Sequence, residues 1–449
     1  MSVDRHQTLL ERDRRHVWHP FTQMQVWPDD DPLVIESAEG NYLIDDQGRR
    51  WFDGVSSLWV TVHGHRKKEL DDAVRAQLDR VAHSTLLGLA SVPSIELAEK
   101  LIQVAPPGLG KVFYSDSGST SVEIAVKMAY QYWAQRGRPE KQRFAALKEA
   151  YHGDTIGSVS VGGVDLFHGI FRGLLFDVER IPTPYAYRWD GPGDCGQACL
   201  DAAEKLFIEK GHTLAGLVVE PLIQGAAGML VQPKGFLKAL AELCAKHDVL
   251  LICDEVATGF GRTGTLFAVE QEGVTPDFLC VAKGLTGGYL PLAATLTTDR
   301  VFEAFLGEVA DKRTFFHGHT YTGNPLACAA ALANLELFEK ERTLERMKPT
   351  VEALAVKLDE VARLPHVGEV RRRGLMVGIE LVKDRATKAE YAYGERMGHR
   401  VCLAVRKRGI ILRPLGNVLV LMPPLSTTVE EARKLGDAVR DAIVEVTGG

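Results

Sequence analysis

The chain has 449 residues, more than one hydrophobic core usually serves, so a large domain with a smaller companion is expected. Apolar residues make up 45% and charged residues 25%, an ordinary globular composition that excludes a disordered or fibrous chain. With 53 Lys plus Arg against 59 Asp plus Glu, a formal charge of -6 and no long block of either sign, neither nucleic acid nor a membrane surface is an expected partner.

The chain opens on MSVDRHQTLLERDRRH, polar and charged with no apolar leader core, and no later apolar run reaches membrane-spanning length; a cytoplasmic protein is expected. Within residues 1–60, PLVIES and NYLIDD read as short strands, with EGN between them and DQGR after. Two strands cannot fold alone, so this segment is expected to pack on the C-terminal part.

From about Leu109 the pattern becomes strand, turn, helix, repeated. VFYSD (112–116) predicts a strand, Gly118-Ser119 a turn, and STSVEIAVKMAYQYWAQR a helix with apolar residues at Val122, Ala125, Val126 and Ala129. FAALK (144–148), LAGLVVE (214–220), VLLICDE (249–255) and FLCVAK (278–283) are nearly continuous apolar runs, as in strands buried on both faces of a mainly parallel sheet. KGFLKALAELCAKH (234–247) supplies a crossover helix. Residues 61–340 are thus expected to form a large α/β domain.

After a helix beginning near Pro325, a charged helical stretch (339–361) leads to short strands near Glu369, 375–382 and 418–421, and to a last helix from Val429. Residues 341–449 are expected to be a compact α+β domain. Seven cysteines, at 195, 199, 244, 253, 280, 328 and 402, are dispersed and odd in number, which points to reduced, mostly buried thiols. Cys195 and Cys199 stand beside Asp194 but lack further ligands for zinc, so no metal is expected.

One motif points elsewhere. Gly259-Phe260-Gly261-Arg262-Thr263-Gly264 is a literal GxGxxG after an apolar strand, the pattern that seats a dinucleotide pyrophosphate at a helix N-terminus. Its context fails: EVAT intervenes before the first glycine, and the following TLFAVEQEGVTPD carries Gly273 and Pro276 where the helix should run. A nicotinamide-dependent dehydrogenase is left as a remote alternative.

Another set suits a different cofactor. Asp254 ends VLLICDE at the edge where open α/β sheets bind ligands, and a carboxylate there can pair with a protonated pyridine nitrogen. Lys283 ends FLCVAK and is followed by GLTGGYLP; a desolvated lysine at a strand end can form an imine with an aldehyde cofactor. Singly, each would be an ion-pairing or capping residue. Ser117-Gly118-Ser119, between strand and helix, offers free N–H groups to an anion, and Tyr151-His152-Gly153-Asp154 follows the next strand, where an aromatic could stack on a pyridine ring.

LLICDEVATGFGRTG followed by DFLCVAKGLTGGYLP resembles the class III, or ω-type, aminotransferases of fold type I, and the resemblance covers nearly the whole chain. It implies a large domain around a mainly parallel seven-stranded sheet plus a smaller α+β domain, pyridoxal 5'-phosphate as cofactor, and active sites shared across a homodimer. Lys283 is then the Schiff-base lysine and proton shuttle, Asp254 the partner of the pyridinium, and Tyr151 and Val256 the ring contacts. Ser117, Gly118, Ser119, His152, Asp154 and Glu220 complete the cofactor set, with Thr320 reaching the neighbouring subunit's phosphate.

Within the class, RHVWHPFTQM, DGVSSLWVTVHGH, FHGHTYTGNPLACAAALANL and ILRPLGNVLVLMPPL resemble the biotin-pathway branch, whose members aminate 8-amino-7-oxononanoate to 7,8-diaminononanoate by a ping-pong cycle. That resemblance implies that Arg413 holds the distal carboxylate of the keto acid bidentately, that Trp59 and Phe21 wall its apolar chain, and that Gly318 and His319 stand at the mouth of the site. Apart from that role, Arg413 reads as a surface ion pair and Trp59 as core. The chain departs from S-adenosylmethionine-using members, whose HPYT, paired tryptophans and HGPT become His19-Pro20-Phe21-Thr22, Leu58-Trp59 and His317-Gly318-His319-Thr320. VHGHRKKELDDA and AHSTLLG resemble the bacillar branch, which implies lysine as amino donor, with S-adenosylmethionine as the alternative donor; another class III ω-amino acid aminotransferase is the alternative function.

Overall fold

The computed structural model describes residues 5–448; the first four residues of the N-terminal stretch and Gly449 lie outside it. The described chain begins with helix α1 (Arg5–His16), which buries none of its side chains. Three short strands follow, β1 (Ile35–Glu39), β2 (Tyr42–Asp45) and β3 (Arg50–Asp53), antiparallel in sequence. PLVIES and NYLIDD account for the first two. The third, RWFD, carries no alternation long enough to be read from sequence.

The large sheet contains β4 (Leu109–Ser115), β5 (Arg143–Leu147), β6 (Val178–Ile181), β7 (Leu214–Val219), β8 (Leu250–Asp254), β9 (Phe278–Val281) and β10 (Ala293–Thr298), in the spatial order β4-β10-β9-β8-β7-β5-β6. It is a mixed sheet of seven strands in which only β10 is reversed, antiparallel to both β9 and β4. Every side chain of β7, β8 and β9 is buried, because the two-residue period sends alternate residues into separate apolar layers. Leu217, Val219, Leu251, Cys253, Leu279 and Val281 enter one layer, and Val218, Leu250, Ile252, Phe278 and Cys280 the other. Helix α2 (Gly118–Gln135) lies on the second layer through Val122, Ala125, Ala129 and Trp133. Between β5 and β6 the four-residue helix α3 (Asp165–His168) carries Phe167 and His168. Helix α4 (Phe236–Lys246) crosses back to β8. Helix α5 (Pro325–Lys340) starts where Asn324 accepts from the N–H groups of Leu326 and Ala327, both at 3.1 Å, with proline in its first turn.

The charged stretch after α5 is broken at residues 341–342, and helix α6 (Lys348–Val361) follows a single turn at Thr343–Arg346. The strands β11 (Val367–Arg373), β12 (Met376–Leu381), β13 (Ile410–Ile411), β14 (Arg413–Leu415) and β15 (Val418–Leu421) precede helix α7 (Val429–Thr447). A four-stranded sheet has the order β11-β12-β15-β14, while β13 leaves it to pair in parallel with β3, Ile410 opposite Phe52. The N-terminal strands and the C-terminal region therefore share one sheet. No described helix is long and apolar enough to cross a membrane.

The GxGxxG segment opens no helix. A methyl on Gly261 would lie 2.5 Å from Leu425 Cδ1, so this glycine lets the loop meet the C-terminal region closely. Arg262, 1% exposed, donates to the carbonyls of Thr61 at 2.8 Å and Pro423 at 2.9 Å and to Ser56 Oγ at 3.2 Å. Burial pulls its pKa down to about 10, which leaves it charged at neutral pH. The dinucleotide alternative thus loses the helix it requires, and the loop becomes the rivet between three chain segments. Arg262→Met should orphan two buried carbonyls at about 1–3 kcal/mol each, read as a lower midpoint in urea unfolding.

Candidate active site

One cavity of about 710 Å³ opens at the C-terminal ends of the parallel strands. Asp254, the last residue of β8, is 4% exposed there; its Oδ1 accepts the Val256 N–H at 3.0 Å and its Oδ2 meets His152 Nδ1 at 2.7 Å. The backbone fixes one oxygen and the imidazole the other, so the carboxylate keeps one orientation. Glu220, following β7, accepts the N–H groups of Tyr151 at 3.1 Å and Gly225 at 2.9 Å, and burial pushes its carboxyl up to about 7. The Tyr151 hydroxyl donates to Asp154 Oδ2 at 2.8 Å, and burial followed by Asp154 raises its pKa.

Lys283 begins the turn after β9 with a φ of 45°, a left-handed conformation that non-glycine residues rarely hold and that clusters at functional positions. Its turn is pinned from behind by the fully buried Asn334 of α5, which donates to the carbonyls of Gly284 at 2.9 Å and Leu285 at 3.0 Å. Nζ stands 5.6 Å from the centroid of the Trp59 ring. Burial lowers the lysine's pKa, while the carboxylates of Asp254, Glu220 and Asp154 pull the other way.

The N-terminus of α2 faces the same cavity. Ser117 caps it, accepting from Thr120 N at 3.3 Å while its own N–H donates to Thr120 Oγ1 at 3.1 Å. Ser119 Oγ accepts the Thr155 N–H at 2.9 Å and lies 2.8 Å from Thr155 Oγ1, which in turn bonds Glu123. A methyl on Gly118 would fall 2.4 Å from Val256 Cγ1, so only glycine lets the helix start and Val256 share one wall. An amine, a buried carboxylate, an aromatic face and a capped helix N-terminus therefore converge, which fits a flat pyridine ring carrying an aldehyde and a phosphate.

Of the residues expected from sequence, Lys283, Asp254, Tyr151, Ser117, Gly118, Ser119, His152, Asp154, Glu220, Val256 and Trp59 line this cavity. Phe21, Gly318, His319, Thr320 and Arg413 are not among its lining residues. Phe21, 59% exposed, meets the ring of Phe167, which abuts Tyr151. His319 Nδ1 lies 2.9 Å from Asp116, a lining residue, while Gly318 and Thr320 are exposed. Arg413 is exposed and joins none of the ion pairs among the described residues. It pairs across β14 and β15 with Val420, which puts both on one face of that sheet, and Val420 packs in the same apolar cluster as Trp59. Sequence reasoning missed Thr155 and Asn334. Thr155 directly follows the YHGD motif and could have been found there, whereas nothing local marks Asn334.

Because the folded-state pKa of Glu220 lies above its ordinary 4.5, the folded protein holds an extra proton between about 4.5 and 7, and stability falls as pH rises through that window. Glu220→Gln should flatten part of that fall, leaving the share of Glu255, which burial likewise pushes to about 7. It should also cost about 1–3 kcal/mol, since an amide N–H₂ would oppose a backbone donor. Thermal midpoints of the apoprotein across this pH range provide the check.

The profile of class III aminotransferases matches residues 24–443. The chain is 59% identical to the adenosylmethionine-8-amino-7-oxononanoate aminotransferase of Nitratidesulfovibrio vulgaris, over 99% of this chain and 83% of that protein. Its fold matches the crystal structure of the enzyme of the same name from Methanocaldococcus jannaschii with a TM-score of 0.94 and 47% identity, covering 98% of this chain and 99% of the other. It also matches an amine transaminase from an uncultivated Pseudomonas species, solved in its PLP-bound form, with a TM-score of 0.90 and 37% identity over 96% and 99% of the two chains. The chain belongs to the class III aminotransferase family.

Proposed function

We propose that this chain transfers an amino group to 8-amino-7-oxononanoate, giving 7,8-diaminononanoate in biotin biosynthesis, with pyridoxal phosphate as cofactor. The observation that carries the acceptor is the 59% identity over 99% of the chain to a relative so named. Class III aminotransferases use pyridoxal phosphate, and the cavity's donor set fits it. Lys283 would hold the aldehyde carbon, Asp254 the ring nitrogen, Tyr151 and Val256 the ring faces, and Ser117, Gly118 and Ser119 the phosphate together with Thr320 of the partner subunit.

Once bound, the cofactor supplies an electron sink for the charge that develops when a substrate carbon loses its proton. The chain's own groups do the rest. Burial favours the neutral amine of Lys283, the form that can take that proton and return it. Asp254, held by Val256 N–H and His152, keeps a proton on the facing nitrogen. Trp59 would line the acceptor's apolar path, and Arg413, which joins no ion pair among the described residues, would hold its distal carboxylate.

The donor has two readings, each with its own support. The relatives' names carry S-adenosylmethionine; Phe21, Leu58 and His319, which depart from the adenosylmethionine-using pattern, carry lysine. A homodimer is supported by Phe316 and Tyr321, 80% and 61% exposed on either side of Thr320, and by Leu87, 90% exposed, since apolar surface of this kind marks contact with another chain. Cytoplasmic residence is supported by seven free, buried cysteines.

Single turnovers of the loaded enzyme with each donor decide between the two amines, and conversion by neither removes both. Lys283→Ala should abolish turnover and the absorbance band of the lysine-linked cofactor, and survival of that band with full turnover would refute the assignment. Arg413→Ala should raise KM for the keto acid about tenfold to a hundredfold with little change in kcat, the loss of a charged hydrogen-bonded pair; an unchanged KM in steady-state assays would remove Arg413 from the acceptor site.

A further inference from the structure

Behind the Tyr151 ring lies a second flat side chain that no motif marks. His168, the last residue of α3, is 5% exposed and sits nearly parallel to Tyr151, with 6.0 Å between ring centroids and 11° between planes, within the offset-stacked range of aromatic pairs. Phe167 meets both rings edge-on, 6.2 Å from Tyr151 and 6.3 Å from His168. A methyl on Gly162 would fall 2.4 Å from His168 Cε1, 3.0 Å from Nδ1 and 3.3 Å from Nε2, so this backbone abuts the Cε1 edge of the imidazole. Gly162 itself is anchored, because Arg180 donates to the carbonyls of Ser160, Val161 and Gly162 at 2.7, 2.8 and 2.6 Å. The imidazole is thus held at its Cε1 edge by a fixed backbone and lies nearly parallel to the Tyr151 ring.

Neither ring nitrogen of His168 has a hydrogen-bond partner among the described residues. Burial lowers its pKa; Asp154 and Asp165 oppose that, and Arg180 and His152 reinforce it. A neutral imidazole that uses neither nitrogen acts here as a plate. Such a plate supplies what Tyr151 otherwise lacks. The bonds from the Tyr151 backbone N–H to Glu220 and from its hydroxyl to Asp154 pin the main chain and the tip of the side chain, yet rotation of the ring about its long axis remains soft. Only a surface laid against one face sets that angle.

We propose that His168 is a positioning residue that sets the tilt of the Tyr151 ring, and through it the plane on which the cofactor rests. The inference depends on the assignment of Tyr151 to the cofactor's ring face. It is tested in the holoenzyme with His168→Ala, His168→Phe and Tyr151→Ala, following the circular dichroism of the bound cofactor, kcat and KM, together with the thermal midpoint of each apoprotein. His168→Ala should lose most of the cofactor's dichroic band and lower kcat about tenfold to a hundredfold with KM little changed, as misplacement does. His168→Phe, flat but without nitrogens, should restore both and raise the apoprotein midpoint. If His168→Ala lowers only the midpoint, leaving the band and kcat per bound cofactor intact, the residue is structural and the proposal fails. It fails also if phenylalanine does not rescue. If Tyr151→Ala leaves the band unchanged, the Tyr151 assignment falls first and the inference with it.

Discussion

An amine and three carboxyl groups held within one another's field at the sheet edge, Asp254 and Glu220 buried and Asp154 exposed, are the constraint on which the site depends. Lys283 senses Asp254, Glu220 and Asp154 together, and the buried pair, Asp254 and Glu220, would be costly there without donors. Each has them: Asp254 from Val256 and His152, Glu220 from two backbone N–H groups, Asp154 from the Tyr151 hydroxyl. The donors are mostly backbone groups of the loops that follow the strands. Electrostatic satisfaction and loop conformation are therefore a single requirement, and neither could change without the other.

The same economy of space governs the cavity walls. Gly118 lets a helix start touch Val256, and Gly153, with a φ of 116°, lets the YHGD loop close on Ser119, where a methyl would fall 2.4 Å from the serine side chain. Gly288 runs against the backbone of Thr61, 2.9 Å from where its Cβ would be. A site assembled from four loops is narrow enough to grip a flat ring because three of the loops have no side chain at the point of contact.

Five strands of the large sheet, β4, β5, β7, β8 and β9, were legible as apolar runs, whereas the half-buried β6 and β10, with its alanines and threonines, were not. Lys283 and Asp254 were legible because they end such runs. Strand β3 was not, since its four residues gain their meaning from β13, far along the chain. His168, Asn334 and the Thr155 to Glu123 bond were not legible either, because each acts on a neighbour that only the tertiary fold supplies. The GxGxxG segment, whose context already spoke against a dinucleotide, owes Gly261 to close packing against Leu425. Phe21, His319 and Arg413 were reached through resemblance, and within one subunit each stands one contact away from a residue that lines or backs the cavity.

The wall that carries Trp59 is built late. Ser56 bonds the carbonyl of Met422 at a separation of 366 residues, Gly54 exchanges backbone bonds with Ile411 and Met422, and Arg262 ties Thr61 to Pro423. At ribosomal rates of about 5–20 residues per second, the segment around Trp59 leaves the ribosome roughly 20 to 70 seconds before its partners exist. Until then its apolar side chains have no place to rest, and the lysine pocket lacks one side. The wall that carries Trp59 consequently forms only after residues 411–423 have been made, later than the phosphate cup, whose Ser119 and Thr155 lie 36 residues apart.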